Sequence, residues 1–403
     1  MAVQTTSTLS NSIRTRYKDR YIKGAEEERL YDQFATPVTS SGDAVDGVSP
    51  VQSPFISELP IVTAAISQTA DITPDTLADA VATITGTSRA GAVQVSQELE
   101  IRAYTDLMAG MNEAAGRQSM LSQEWLAIQT ILNGDLVYRA AARASLDAGT
   151  TGHNFNRTSL MAIQSRLQTL RCPRMPPDAN AGSAYMALGH IDVMADLVLD
   201  SDFLAISQYQ DKSLALNQEI GAYGQFRLIA DARAKVFASA GIAHASVVST
   251  TLSAAAAALA TSITVASSTN IGNAGRFLSI GTIETGTTFD ATMERVMVTS
   301  TTGTTIRVVG GGPNGGLRWA HASGVGVSNA DPVYPVIFGY AGSMAKMYAT
   351  ETGPFGEVLD PERTGLAKQW THVAWKWFGG YGLWVQTWLY RGEFSSRLDN
   401  VAT

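Results

Sequence analysis

Two short patterns in this chain are of the kind that handle phosphate or acyl groups. Gly310-Gly311-Gly312-Pro313-Asn314-Gly315 satisfies the G-x-G-x-x-G spacing of dinucleotide sites and follows a strand-like run. That chemistry needs a helix to start at the loop so that its free amides meet a pyrophosphate. Pro313 and the Leu-Arg-Trp-Ala-His-Ala-Ser-Gly beyond the loop do not predict one, so the pattern reads as a hairpin loop. Ser343-Met-Ala-Lys346 has the spacing of a serine nucleophile activated by a lysine, but the companion motifs of that chemistry are missing and the match reads as chance. The five histidines (His153, His190, His244, His321 and His372) never pair at ligand spacing, and no two carboxylates single themselves out as an acid and a base. Cys172 stands alone, which excludes an internal disulfide or a cysteine-rich metal site, suits a reducing compartment and predicts a buried, inert thiol. No catalytic residue, cofactor or metal is expected.

The elements that would have to position such groups point elsewhere. At 403 residues and 45% hydrophobic content the chain is long enough for two or three cores, yet only 16% of it is charged. A freely dispersed protein covers itself with more ionisable groups, so the low value fits a chain that buries much of its surface against neighbours in a large assembly. The net charge of -7 argues against a chain whose main task is gripping nucleic acid and leaves only weak contact with it. Of the 29 basic residues seven are Lys and 22 are Arg, a bias that suits bidentate ion pairs at interfaces and equally a GC-rich genome. The N-terminus lacks the regions of a signal peptide, and no apolar run approaches the roughly 20 residues that span a bilayer.

Along the chain, 11–35 predicts an amphipathic helix with Ile13, Tyr17 and Tyr21 at four-residue spacing and Leu30, Tyr31 and Phe34 continuing the stripe. Its basic residues come early and its acidic ones late, the reverse of what the helix dipole favours, so the stripe and its partner must hold it. Residues 36–60 predict an extended connection. Residues 61–100 show weak strand patterns at 82–85 and 92–96 and a short helix after Pro74, but no core of their own. The strongest helix signal covers 104–148, a rod of roughly 60 Å if unbroken, with Gly110, Gly116 and Gly134 as points where it could kink or end. Further helices are predicted at 158–170, stopped by Pro173, and at 192–209. Buried strands are predicted at 185–188, 226–229 and 334–338.

Between these lies 247–327, rich in Thr, Ser, Gly, Ala and Val and without Lys. Its alternating pairs Ile263 and Val265, Leu278 and Ile280, Val296 and Val298, and Ile306 and Val308 predict a small β-meander inserted into a different domain. The stretch 369–394 holds five of the seven Trp and predicts a hairpin turning at Phe378-Gly-Gly-Tyr-Gly382, with Val373, Trp375 and Trp377 on one face.

Several segments, in order, resemble major capsid proteins of the coliphage N4 type. They are Arg16-Tyr-Lys-Asp-Arg-Tyr-Ile22 with Gln33-Phe34-Ala35, Arg89-Ala-Gly-Ala-Val-Gln-Val-Ser96, the stretch 214–229 in which Glu219-Ile220-Gly221 leads through a glycine into a strand, Asp360-Pro361, and Trp375-Lys-Trp-Phe-Gly-Gly380. The meander resembles a small β module of phage structural proteins through Ile263-Thr-Val265, Gly275-Arg-Phe, Glu294-Arg-Val-Met-Val-Thr299, Ile306-Arg-Val and Ala320-His-Ala-Ser-Gly324, and departs from it at Gly310-Gly-Gly312. The resemblance implies an α+β, HK97-like capsid fold. Its parts would be an N-terminal arm (1–55), an E-loop (56–103), a peripheral domain with the spine helix (104–180), an axial domain (181–246), the inserted all-β domain (247–327), and a completing segment with a C-terminal β-hairpin (328–403).

It further implies a homo-oligomer of hexamers and pentamers in a virion shell, assembled in the bacterial host cytoplasm. Its partners would be double-stranded DNA held by weak non-specific contact and portal, scaffolding or decoration proteins, with no membrane. Residues that an arm and a loop of this kind would present to a neighbouring subunit are Arg14, Arg16, Tyr17, Tyr21, Tyr31, Phe34 and Arg89. Some relatives crosslink covalently through an E-loop lysine; with no Lys in 56–103, reinforcement here would be non-covalent. Two other readings stay open: an encapsulin-like nanocompartment shell, and a tail or receptor-binding protein that uses the β module as its working part.

Overall fold

The computed structural model describes residues 10–39, 51–56, 62–63, 79–103, 106–146, 150–175, 183–199, 219–240, 248–271, 274–282, 290–350, 352–359, 362–364 and 369–400. The chain divides into two compact units, residues 1–130 with 342–385 and residues 131–341 with 386–403. The described α-helices are α1 (Ser10–Glu27), α2 (Gln97–Arg102), α3 (Leu107–Leu132), α4 (Arg157–Thr169) and α5 (Ile191–Val198). None is long and apolar enough to cross a membrane. The helix expected after Pro74, residues 200–209 of the one expected at 192–209, and Asp360-Pro361 lie outside the described residues; α5 stops at Val198, with Leu199 as its C-cap.

In the first unit the strand Trp370–Leu383 is the axis of a six-stranded sheet. One of its sides pairs antiparallel with Thr87–Ser96 over ten residue pairs, from Trp370 opposite Ser96 to Gly379 opposite Thr87. Its other side takes Met344–Tyr348, Glu357–Val358 and Glu362–Thr364, and Thr36–Thr39 adds in parallel to Met344–Tyr348. Val373, Trp375 and Trp377 are buried with Tyr21, Val95, Met111 and Ala115, the one-faced burial that the alternation predicts. Trp375 is opposite Gly91, and its Nε1 donates to Gln118 Oε1 of α3 at 3.0 Å. Val51–Ile56 and Asp79–Ile84 form a separate two-stranded sheet within 51–84.

Three expectations are corrected here. The C-terminal hairpin does not form: Trp370–Leu383 runs straight through Phe378-Gly-Gly-Tyr-Gly382, and the strand Leu389–Phe394 that follows joins the other unit's sheet. The glycines serve close approach instead of a turn. A Cβ at Gly380 would collide with the Thr85 carbonyl, one at Gly379 with the Met347 carbonyl and the Trp377 ring, and one at Gly382 with Ile84 Cγ1 at 2.6 Å. The first helix stops at Glu27, and 28–35 form a turn and a 3-10 segment, Asp32–Phe34. The long helix begins at Leu107 and ends at Leu132, two residues before Gly134; its 26 residues span about 39 Å.

The second unit takes up the chain where α3 finishes. Val137–Arg139 pairs parallel with Leu389–Phe394, continuing through Asp331–Gly339, Tyr185–His190, Phe226–Asp231 and Glu219–Tyr223, with Phe237–Ala240 also on Asp331–Gly339. α4 starts from a capping box between Asn156 and Ser159, and its Leu160, Ile163 and Leu167 belong to the same core as Tyr185, Phe226, Phe338 and Phe394. α4 packs with this sheet, and the division into two compact units falls after Thr130.

The meander forms a sheet of its own within this unit, ordered Ser249–Thr251, Gly326–Ser328, Phe277–Ile280, Glu294–Thr302, Thr305–Val309, Ser262–Thr264. All eight residues of its four alternating pairs are in one buried cluster. The Gly310 loop closes on itself, with Gly310 N–H donating to the Gly315 carbonyl and Gly312 N–H to that of Gly316, both at 2.9 Å.

Candidate assembly site

The most elaborated polar site in the first unit receives the segment after α1. α1 lies against α3 backbone to backbone: a Cβ at Gly24 would collide with the Glu113 carbonyl, and one at Gly116 with that of Tyr21. Tyr21, buried between them, donates its hydroxyl to the Phe355 carbonyl at 2.8 Å, and burial pushes the phenol up to about 12. The Tyr21 contact and the two glycines set where the chain leaves the helix.

Beyond the helix, Glu124 of α3 accepts three successive backbone N–H groups, those of Leu30 (2.9 Å), Tyr31 (2.6 Å) and Asp32 (2.9 Å). A carboxylate facing three amides acts as a clamp on the turn. Burial pushes Glu124 up to about 7, and the three amides pull against that rise. Asp32 is buried in turn. Its Oδ1 accepts the Tyr381 hydroxyl at 2.6 Å and lies 2.6 Å from Lys346 Nζ, while its Oδ2 accepts Arg29 Nε at 3.0 Å. The Lys346 ammonium is ringed by Phe355, Trp377 and Tyr381, with centroids 5.9, 5.9 and 5.7 Å away. Burial pulls Lys346 down and pushes Tyr381 well above its ordinary value. Lys346 and Arg29 both engage Asp32, so the cluster holds a segment in place.

The structure places the sequence-derived contact residues in two groups. Tyr21, Tyr31 and Phe34 are buried inside their own chain, Tyr31 and Phe34 in the clamped turn. Arg89 is on the Thr87–Ser96 strand, half-buried, its guanidinium on Thr87 Oγ1. Arg14, Arg16 and Tyr17 are on α1, their side chains outside the described residues. Ser343 and Lys346 do not share a helix face: Lys346 is on a strand and engaged by Asp32.

Sequence reasoning missed Glu124, Asp32, Lys346 and Tyr381, since Asp32 lies 92 positions from Glu124 and 349 from Tyr381. One signal was available: Lys346 is one of only seven lysines and interrupts an otherwise apolar run, Met344-Ala-Lys-Met-Tyr348.

The second unit repeats the device. Fully buried Glu393 takes Arg139 Nε at 2.6 Å, Arg143 Nη2 at 2.6 Å and Arg391 Nε at 3.1 Å. Burial acts to raise its carboxyl, but the Arg143 and Arg139 bonds outweigh that and hold it below the ordinary range. Arg391 also donates to the Leu132 carbonyl, fixing the last turn of α3 in this unit. Arg295 of the meander sheet reaches Asp192 Oδ2 on α5 at 3.0 Å, and Tyr334 donates to the same oxygen at 3.1 Å. His190, stacked 5.0 Å from the Tyr334 ring, is pushed down to about 4 by burial and stays neutral, so its Nδ1 accepts the Asp192 N–H. Among the described residues no group of three or more His, Cys, Asp or Glu could hold a metal ion.

No family model matches the sequence, and no curated protein matches it. The fold, by contrast, is similar to solved phage capsids over nearly its whole length. The capsid asymmetric unit of cyanophage Pam1 superposes with a TM-score of 0.53 at 11% identity, covering 90% of this chain and 89% of that one. The capsid of Ralstonia phage GP4 gives 0.52 at 9% identity, covering 92% and 90%. At such identities the likeness shows the fold: a mixed α+β phage capsid fold.

Proposed function

We propose that the chain is the major capsid protein of a tailed bacteriophage, of the coliphage N4 type and with the HK97-like arrangement of arm, E-loop, spine helix, peripheral and axial domains and an inserted all-β domain. Copies assemble as hexamers and pentamers into an icosahedral shell around double-stranded DNA, held by non-covalent contacts, with portal and scaffolding or decoration proteins as further partners. The observation that carries this reading is the capsid likeness over about 90% of both chains. The ribbon of Val51–Ile56 and Asp79–Ile84, hydrogen-bonded to no other strand among the described residues and buried at its Ile84 end against Ala345 and Met347, supports it, because a two-stranded ribbon is marginal in water unless something packs along it. In this reading Arg14, Arg16, Tyr17 and Arg89 remain candidates for contact with a neighbour, while Tyr21, Tyr31 and Phe34 fix the arm that presents them.

A shell built from one chain must place it in two slightly different settings, pentamer and hexamer. Rigid units with an adaptable arm and loop meet that need. Negative-stain microscopy of the chain expressed by itself tests the proposal: closed shells or capsomer tubes are expected, and a monomer or a trimeric fibre overturns it. Nuclease-resistant DNA in particles from infected cells separates a virion shell from an encapsulin-like compartment, which would hold protein cargo instead.

A further inference from the structure

The first unit buries an amine and a carboxyl group in contact with each other. Lys346 and Asp32 are 3% and 2% exposed, and Lys346 Nζ is 2.6 Å from Asp32 Oδ1. Tyr381 donates its hydroxyl to that same oxygen at 2.6 Å, while Arg29 Nε holds Oδ2 at 3.0 Å. Nζ itself makes no aligned hydrogen bond among the described residues. What surrounds it instead are the rings of Phe355, Trp377 and Tyr381. A charged pair is costly to keep in such a place, and a proton passed from the ammonium to the carboxylate neutralises both partners. Burial pulls Lys346 down, the direction that frees its amine, and a desolvated lysine amine is a nucleophile. Both residues are held from the backbone as well. Glu124 accepts the Asp32 N–H at 2.9 Å, and the strand Thr36–Thr39 that follows lies parallel on Met344–Tyr348 with Pro37 opposite Lys346. Two groups fixed in contact are in the situation where an intramolecular reaction gains most.

We propose that Lys346 and Asp32 form an amide bond within the chain, from Nζ to Cγ, with the loss of one water. Nζ gives one proton to Oδ1 and then attacks Cγ, and the negative charge that develops on Oδ2 is met by Arg29. A second proton passes from the nitrogen to Oδ1, which leaves as water with the Tyr381 hydroxyl bonded to it. The third proton stays on the amide nitrogen, and Oδ2 becomes the amide oxygen. The atoms balance without a co-reactant. The bond ties the segment after α1 to the sheet inside one copy, so contacts between copies remain non-covalent. It goes beyond the shell reading and stands or falls without it.

The test is the intact mass of the folded full chain, measured after denaturation beside Lys346→Arg and Asp32→Ala chains treated identically. The parent is expected to fall short of its sequence mass by one water and to migrate ahead of both variants on a denaturing gel, because a chain closed into a loop is more compact when unfolded. The variants are expected at full mass. Trypsin should release from the parent a branched peptide that joins 30–89 to 319–363, since an acylated Lys346 is not cleaved. A parent at full mass, with 319–346 and 347–363 released as separate peptides, overturns the proposal and leaves the shell reading untouched. A water deficit that peptide fragmentation places elsewhere overturns it as well. If either variant fails to fold, the branched peptide of the parent decides by its presence or absence.

Discussion

Glu124 shows how one side chain can hold a segment that sequence leaves undefined. It takes three backbone amides in a row and is buried, so its pKa rises from 4.5 to about 7 in the folded chain. The sign of the pH effect follows. Because the folded form binds the proton more tightly, this group's contribution is fully present below pH 4.5 and is lost as pH rises through 7. Chemical denaturation of the soluble chain across this range should therefore show a downward slope with rising pH, worth about 3 kcal/mol at most from this residue. Glu124→Gln should remove that slope and lower stability by about 1–3 kcal/mol by weakening the clamp. A Glu124→Gln chain with the same pH slope as the parent would show that the slope arises elsewhere.

At the scale of elements, the glycines of Trp370–Leu383 decide a question that residue types cannot. Phe378-Gly-Gly-Tyr-Gly382 has the composition of a turn, and here it is the stretch of strand on which Thr85, Gly86 and Met347 lie closest. Gly380→Ala separates the two roles. A turn glycine with room around it tolerates a methyl, whereas here the Cβ meets the Thr85 carbonyl and should cost about 1–3 kcal/mol through overpacking. A midpoint of denaturation equal to that of the parent would contradict the close-approach account. α3 is a related case. Its apolar spacing runs on past Leu132, yet the chain turns at Gly134 because Val137–Arg139 completes a sheet edge with Leu389–Phe394 and Arg391 caps the helix carbonyl. Local periodicity recorded the helix well and its end poorly, since the end depends on residues some 250 positions away.

For the whole molecule, a chain with 16% charged residues places many of its ion pairs inside: Asp32 with Lys346, and Glu393 with three arginines. Such pairs fix geometry more than they add stability, which suits the proposed shell subunit, whose copies would repeat one shape many times. Residues 56–103 contain no Lys, so the proposed shells should run as a single band of monomer mass when boiled and resolved on a denaturing gel. A ladder of covalent multimers would refute non-covalent reinforcement. The glycine-rich and Ser-x-x-Lys patterns are both absorbed into structure, one in a loop closed on its own carbonyls and the other split between a 3-10 turn and a strand.

The sequence by itself determined the local elements and their inner faces: the alternating pairs of the meander, the Val373, Trp375, Trp377 face, α4 to within a residue of 158–170, and the buried strands near 185 and 226. These follow from periodicities of 2 and 3.6, which a few neighbouring residues express without help from the rest of the chain. The order of weak motifs along the chain also pointed to the capsid fold. Only the tertiary structure decided where α1 and α3 stop, that 369–394 is one long strand followed by a crossing into another sheet, and that Glu124, Asp32, Lys346 and Tyr381 meet. Each of these depends on what lies opposite a residue in space, and with partners up to 349 positions apart the local pattern around either one carries no record of the other.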